Sequence, residues 1–358
     1  VPSASAATRD SALRVSDSPA SVPPHLRAFH LPPEQTADPD AIVILTVGNC
    51  QAESLRIFLP ETTAQTAGAN EGTTPSGATD ATGTSTTSTS ETGTAGTTAD
   101  ASRPLTTVRI PPVHELTAAD LAPLRAWLAR ADHVVLQPIR DGYRGLPIGT
   151  RELLAETRPG TGSAIVPVIR FAGLYPRHLI IRPPSDTSLV PPLVAYHDAA
   201  ILAKAAGIAL PPLTTRAIRA VAEASLAELR EREQRHGAVV VSDLFASPGF
   251  ALMRTINHPG NPIWAELARR VLDTLGIAAD VRDPGREILG SVHAPREAAV
   301  IEAFGLDEAP RAEWIVDGQS LSTDAVRAAH LAWYAEHPDA VQAGLVRHAS
   351  TLRELAAA

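Results

Sequence analysis

Residues 41–59 read AIVILTVGNCQAESLRIFL, an apolar run that passes into a helical pattern with only Gly48 and Asn49 between them. An apolar run without polar alternation describes a strand covered on both faces, and such strands belong to parallel sheets with helices on either side. The pattern then repeats. TTVRI, HVVLQPI and SAIVPVI read as further strands, and LTAADLAPLRAWLARA as an amphipathic helix opened by an N-cap arrangement of Thr117 and Asp120. A Gly-rich turn, RDGYRGLPIGT, leads into a short helix. Farther on, TTRAIRAVAEASLAELREREQRH is a long charged helix, AVVVS within GAVVVSDLF is strand-like, and NPIWAELARRVLDTLG is a helix with Pro262 in its first turn and Gly276 at its end. Strands alternating with helices predict an α/β fold, a three-layer parallel sheet flanked by helices.

Three segments fall outside that pattern. Residues 1–38, rich in Ser, Ala and Pro, are expected to form a disordered arm, because they hold too little apolar surface to offset ordering entropy. Residues 61–103 are almost purely Thr, Ser, Gly and Ala and read as a low-complexity insertion in a loop of the 39–280 domain. Residues 281–358, with LSTDAVRAAHLAWYAEH and AVQAGLVRHASTLRELAAA, are expected to form a helical C-terminal extension.

Composition narrows the partners. The chain has 358 residues, 44% of them hydrophobic, and a formal charge of -8. That balance argues against nucleic acid and anionic membrane as partners and leaves small molecules or proteins. No apolar run is long enough to span a bilayer. The single cysteine excludes an internal disulfide framework and a Cys-rich zinc site, and fits a cytoplasmic protein. Asp and Glu are too scattered near the histidines to specify a metal, and there is no Walker A, dinucleotide or HExxH motif. Lys204 is the sole lysine, so an anion site must draw on arginine, backbone amides or helix ends.

The chemistry gathers at Cys50. A strand ending in Gly-Asn-Cys-Gln sets the thiol at the carboxyl edge of the sheet, where open α/β folds bind ligands. It also sets it at a helix N-terminus, which predicts a lowered thiol pKa. Gly48 permits the sharp turn, and the Asn49 amide or the Gln51 backbone N–H is available to an oxyanion. A thiol nucleophile needs a base. Two histidines have suitable surroundings: His258, beside Asn257 in TINHPGNPIW, and His197, beside Asp198 in VAYHDAA. In QPIRDGYRG, Gln137, Arg140, Asp141, Tyr143 and Arg144 lie at a strand end and in a loop suited to a phosphate or sugar. Tyr175 in RFAGLYPRH is a candidate substrate wall, and Arg254 a candidate anion contact.

GNCQAESLRIFL, VVLQPIRDGYRGLPIGT, VPVIRFAGLYPRH, AYHDAAIL and INHPGNPIWAELARRVL occur in that order, and the set resembles the WcbI polysaccharide biosynthesis family from Ile42 to Leu275, less the insertion. The resemblance implies a fold similar to SGNH hydrolases and a coenzyme A binding O-acetyltransferase acting on a sugar of a surface or capsular polysaccharide. On that analogy Cys50 stands at the nucleophile position, Asn49 and Gln51 belong to the GNCQ signature and His258 to the NHP signature. Beside that reading, Gly48, Arg140, Arg144 and Arg254 are the residue-level candidates for coenzyme A, since guanidinium groups suit phosphate, and Gln137, Asp141, Tyr143, Tyr175, His197, Asp198 and Asn257 are those for the sugar. A thioesterase or deacetylase of the same fold, or a binding protein without turnover, are the alternatives.

Overall fold

A computed structural model of the chain describes residues 22–61 and 103–357. Order starts earlier than residue 39. A 3-10 turn over Pro24–Leu26 leads to helices α1 (Arg27–His30) and α2 (Pro33–Thr36). Phe29 is fully buried, and its carbonyl accepts from Trp127 Nε1 at 3.0 Å. One buried Phe contributes about 2–3 kcal/mol, enough to dock a segment that is otherwise polar. The arm expected over 1–38 is therefore packed from residue 22, and residues 1–21 lie outside the described residues.

The alternation then follows as expected: β1 (Ile42–Val47), α3 (Cys50–Phe58), β2 (Leu105–Val108), α4 (Leu121–Arg130), β3 (His133–Leu136), α5 (Thr150–Ala155) and β4 (Gly162–Ile165). The four strands form one parallel sheet in the order β2-β1-β3-β4. Side chains alternate across it. Ile42, Ile44 and Val135 enter the core under α3, whereas Val43, Leu45, Val47, Val134 and Leu136 enter the core under α4. Helices cover both faces, which is why β1 is apolar at nearly every position. The insertion between α3 and β2 lies outside the described residues except for its ends, Glu61 and Arg103. Asp120 accepts from the Thr117 N–H at 2.8 Å, as the N-cap reading predicts.

Past the sheet, the short antiparallel pair β5 (His178–Leu179) and β6 (His197–Asp198) feeds α6 (Ala199–Ala205), and α7 (Thr215–His236) follows. A second pair, β7 (Met253–Thr255) and β8 (His258–Pro259), feeds α8 (Asn261–Leu275), which packs on α3. The expected AVVVS strand is absent: a 3-10 turn over Ser242–Ala246 follows instead. Its last two amides take another partner. Glu233 accepts from Val241 N, Ser242 N and Ser242 Oγ at 2.8, 2.9 and 2.6 Å, replacing a strand ladder.

The C-terminal segment is not purely helical. It carries β9 (Val292–His293), α9 (Ala298–Phe304), β10 (Trp314–Val316), β11 (Gln319–Leu321), α10 (Thr323–Glu336), α11 (Pro338–Arg347) and α12 (Ala349–Ala356), with β9, β10 and β11 in one antiparallel sheet. Ala294, Val300 and Trp314 join the same buried cluster as Ile42 and Ile44, so the segment completes the main core. Among the described residues no helix is long and apolar enough to cross a membrane.

Candidate functional site

The sheet brings three chain segments to the turn after β1. Only a glycine fits at 48: a Cβ there would meet Gln137 Oε1 at 2.3 Å and the Ala52 Cβ at 2.9 Å. That close approach lets Gln137 Oε1 accept from Asn49 N at 2.8 Å. Asn49 then caps α3, its side chain accepting from Gln51 N at 2.8 Å. Gln51 is buried and links the rest. Its Oε1 accepts from Ile169 N at 2.9 Å, and its Nε2 donates to Ile169 O at 2.8 Å and to Asn257 O at 2.9 Å. One side chain beside Cys50 thereby holds the loop after β4 and the residue before His258. The Gln51 side chain is a positioning group; its backbone N–H, beside the Cys50 sulfur, also donates to Asn49 Oδ1.

The histidine side is a second network. The Tyr196 hydroxyl donates to Asn257 Oδ1 at 2.7 Å and accepts from Thr255 Oγ1 at 2.9 Å, and the Tyr196 ring stands edge-on to the His258 ring with centroids 5.9 Å apart. Burial lowers the His258 pKa to about 4, with Arg254 and His293 adding to the shift. Its imidazole is neutral near pH 7 and ready to accept a proton. Its Nδ1 is buried with no hydrogen-bond partner among the described residues.

Cys50 departs from expectation. Burial pushes its thiol pKa up; the backbone N–H groups of Cys50 and Gln51 oppose the shift without reversing it, and Glu115 reinforces it. Desolvation outweighs the helix N-terminus because the thiolate loses more hydration than two amides return. The resting sulfur is a thiol. Alkylation by iodoacetamide at pH 7 should be slower than that of a small free thiol and should accelerate only on the alkaline side of the ordinary thiol range. Because the chain has one cysteine, mass spectrometry reads the label directly, and faster alkylation than the free thiol at pH 7 would contradict the raised pKa.

Cys50 opens on a cavity of about 480 Å³ that the sequence reading missed. Arg56, Arg109, Arg282 and Arg286 line it together with Glu53 and Ser54. Glu53 holds Arg56 by two hydrogen bonds, at 2.8 and 3.0 Å, and Arg109 at 3.5 Å, so the lining keeps an excess of positive charge. Half of this was readable. Cys50, Glu53, Ser54 and Ile57 share one helical face by spacing alone. Arg282 and Arg286 come from an irregular stretch after α8 whose approach to α3 no local pattern shows.

The remaining candidates separate. Arg140, Tyr143 and Gln137 line a cavity of about 310 Å³ with Gly48 and Asn49, the Arg140 guanidinium 5.9 Å from the Tyr143 ring centroid. Arg144 is exposed, in the left-handed region at φ 55°, outside that lining. Asp141 is paired with Arg151 and holds the loop. Three expected ligand residues are corrected. Tyr175 is buried, its hydroxyl donating to Met253 O at 2.8 Å. Arg254 is buried and donates to Pro259 O at 3.0 Å and Asn261 Oδ1 at 3.2 Å, holding the NHP turn. His197 is fully buried against α10, hydrogen-bonded to the Tyr334 hydroxyl, which leaves His258 as the histidine tied to the Cys50 turn. Asp198 caps α6 through Ala200 N and Ile201 N. Among the described residues no group of three or more His, Cys, Asp or Glu is placed to hold a metal ion.

A family model described as polysaccharide biosynthesis enzyme WcbI matches residues 95–280. No curated protein matches. Among solved structures, the chain is similar to WcbI, described there as a novel polysaccharide biosynthesis enzyme, in its native form without a disulfide bond between coenzyme A and a cysteine. The likeness has 18% identity, covers 88% of this chain and 99% of that chain, and has a TM-score of 0.64, a likeness of fold. A share of 88% is more than residues 1–280 supply by themselves, so the C-terminal segment takes part in the shared fold. The family match begins beyond the Cys50 turn, yet that turn is bound to Gln137, Ile169 and Asn257, all inside the matched residues. With a match over just more than half its length and the likeness of fold, this chain belongs to the WcbI family of polysaccharide biosynthesis enzymes.

Proposed function

We propose that the chain transfers an acyl group, acetyl in the simplest case, from coenzyme A to a sugar hydroxyl in the biosynthesis of a surface or capsular polysaccharide. The observation that carries this reading is the arginine-lined cavity opening at Cys50. Guanidinium groups suit phosphates, and the donor set therefore fits the phosphorylated end of coenzyme A, with Arg56, Arg109, Arg282 and Arg286 as its holders. The solved WcbI structure supports the same ligand, since its description pairs coenzyme A with a cysteine. Coenzyme A would supply the acyl group as a thioester, an electrophile open to an alcohol.

The chain's own groups account for the remainder. Neutral His258 accepts the proton of the attacking sugar hydroxyl, held in place by Asn257 and the edge of Tyr196. The Asn49 side-chain N–H₂ is the donor for an oxyanion beside the sulfur. Cys50, a thiol at rest, lines the acyl pocket at the position that an SGNH-like fold gives its nucleophile. The proton held by His258 returns to the departing thiolate, so the balance closes without water. Acetyl-coenzyme A is a cytoplasmic metabolite, which makes the cytoplasm the proposed site of action.

Chromatography of coenzyme A released from acetyl-coenzyme A, with and without a sugar acceptor, tests this. Release should depend on acceptor and fall at least ~10²-fold in His258→Ala, the scale of general-base catalysis. Release at an unchanged rate without acceptor would replace transfer by hydrolysis.

A further inference from the structure

A third cavity, of about 630 Å³, meets the site at Tyr196, whose hydroxyl is bound to Asn257 beside His258. Its volume is that of a small-molecule pocket. One wall is aromatic: Trp314 of β10 stacks on His178 with centroids 4.8 Å apart and on Tyr196 at 6.0 Å. Two carboxyl groups share the lining, Asp198 and Glu297, and Arg177 stands 3.6 Å from Glu297. Burial raises the pKa of both acids. His178 Nδ1 is buried without a hydrogen-bond partner among the described residues.

Such a set matches a sugar. Carboxylates with an arginine beside them accept from and donate to its hydroxyls. The charge says more. Besides Arg177, the lining contains Lys204, Arg296, Arg311 and Arg327; Arg296 pairs with Glu308 at 2.7 Å and Arg327 with Asp324 at 3.0 Å, which leaves Lys204 and Arg311 as the excess. Lys204 has no ion-pair partner among the described residues, and the Arg311 guanidinium donates to the carbonyls of Ala294 and Glu313 and to no carboxylate. A neutral glycan leaves that excess unmatched, whereas a phosphate neutralises it.

We infer that this cavity is the acceptor subsite and that it takes a phosphorylated sugar, with the hydroxyls toward Asp198, Glu297 and Arg177 and the phosphate toward Lys204 and Arg311. The inference rests on the acyl-transfer reading and places acylation on an activated monosaccharide, before polymerisation. The reaction that supplies its substrate is then a sugar phosphorylation or nucleotidylation, and a glycosyl transfer consumes its product.

Calorimetric titration of the full chain with α-D-glucose 1-phosphate, α-D-mannose 1-phosphate, UDP-glucose and free glucose tests this without requiring turnover. At least one phosphorylated sugar should bind ~10-fold or more tightly than glucose, with affinity falling as salt rises. The arms distinguish a free sugar phosphate from a nucleotide-linked one. Lys204→Glu and Arg327→Glu, both at exposed positions, should each weaken that binding ~10-fold or more and leave coenzyme A affinity within about twofold. Equal binding of glucose and the phosphorylated probes, or an equal loss of coenzyme A binding in the two variants, would overturn the subsite. Retained sugar-phosphate binding without acyl transfer would instead keep the subsite and remove the acyl-transfer reading.

Discussion

Gln51→Ala is expected to lower both stability and turnover, more than any other change at the site that leaves Cys50 and His258 in place. The side chain is buried, and its loss strips Ile169 N, Ile169 O and Asn257 O of their partner. A buried backbone group left unpaired costs about 1–3 kcal/mol, so the total should be about 3 kcal/mol, with water recovering part of it. The kinetic loss should exceed what destabilisation explains. Asn257 and the following His258 are released from the Cys50 turn, and a displacement of about 1 Å costs ~10² in rate. Urea unfolding gives the first quantity. Acceptor-dependent release of coenzyme A, measured well below the unfolding midpoint, gives the second. Unchanged release in a variant shown to be destabilised would mean that His258 is positioned by other contacts.

Glu233→Ala should be the larger stability change. Glu233 is buried on α7 and is the acceptor for Val241 N, Ser242 N and Ser242 Oγ. Removing it leaves three buried donors unmatched, an expected loss of about 3–5 kcal/mol. Glu233→Gln retains a carbonyl oxygen for the two amides and should recover more than half of the difference. Thermal and urea unfolding compare the three proteins. Equal loss in the alanine and glutamine variants would assign the effect to packing rather than to the accepted hydrogen bonds. Because Val239 N donates to Ile165 O at 2.8 Å beside β4, loosening this turn should also soften the sheet edge.

Glu233 also explains why one strand expectation fails. AVVVS is as β-prone as any run in the chain, yet its amides at 241 and 242 go to a carboxylate eight and nine residues back. Propensity describes how a side chain fits a pleated surface, not which acceptor its backbone meets. The N-terminal arm fails as an expectation for a related reason. Its composition is polar on average, but a single Phe29 docks against α4, and averages over a window do not record one anchor.

The site itself divides along the same line. The strand, the glycine turn and the capped helix are local, so the position of Cys50 at a sheet edge and helix start was determined by the sequence itself, as was the polar character of its flanks. The ordered motifs likewise carried the family. Everything that depends on distant segments needed the tertiary structure. The Gln51 side chain meets Ile169 and Asn257 at separations of 118 and 206 residues, which makes it a link between loops. The same folding removes His197, Tyr175 and Arg254 from ligand contact by burying them, brings Arg282 and Arg286 to Cys50, and raises a thiol pKa that the helix start alone would lower. Local periodicity encodes which face of an element is apolar; burial, desolvation and pairing belong to whatever the fold sets against that face, and only the closed structure decides them.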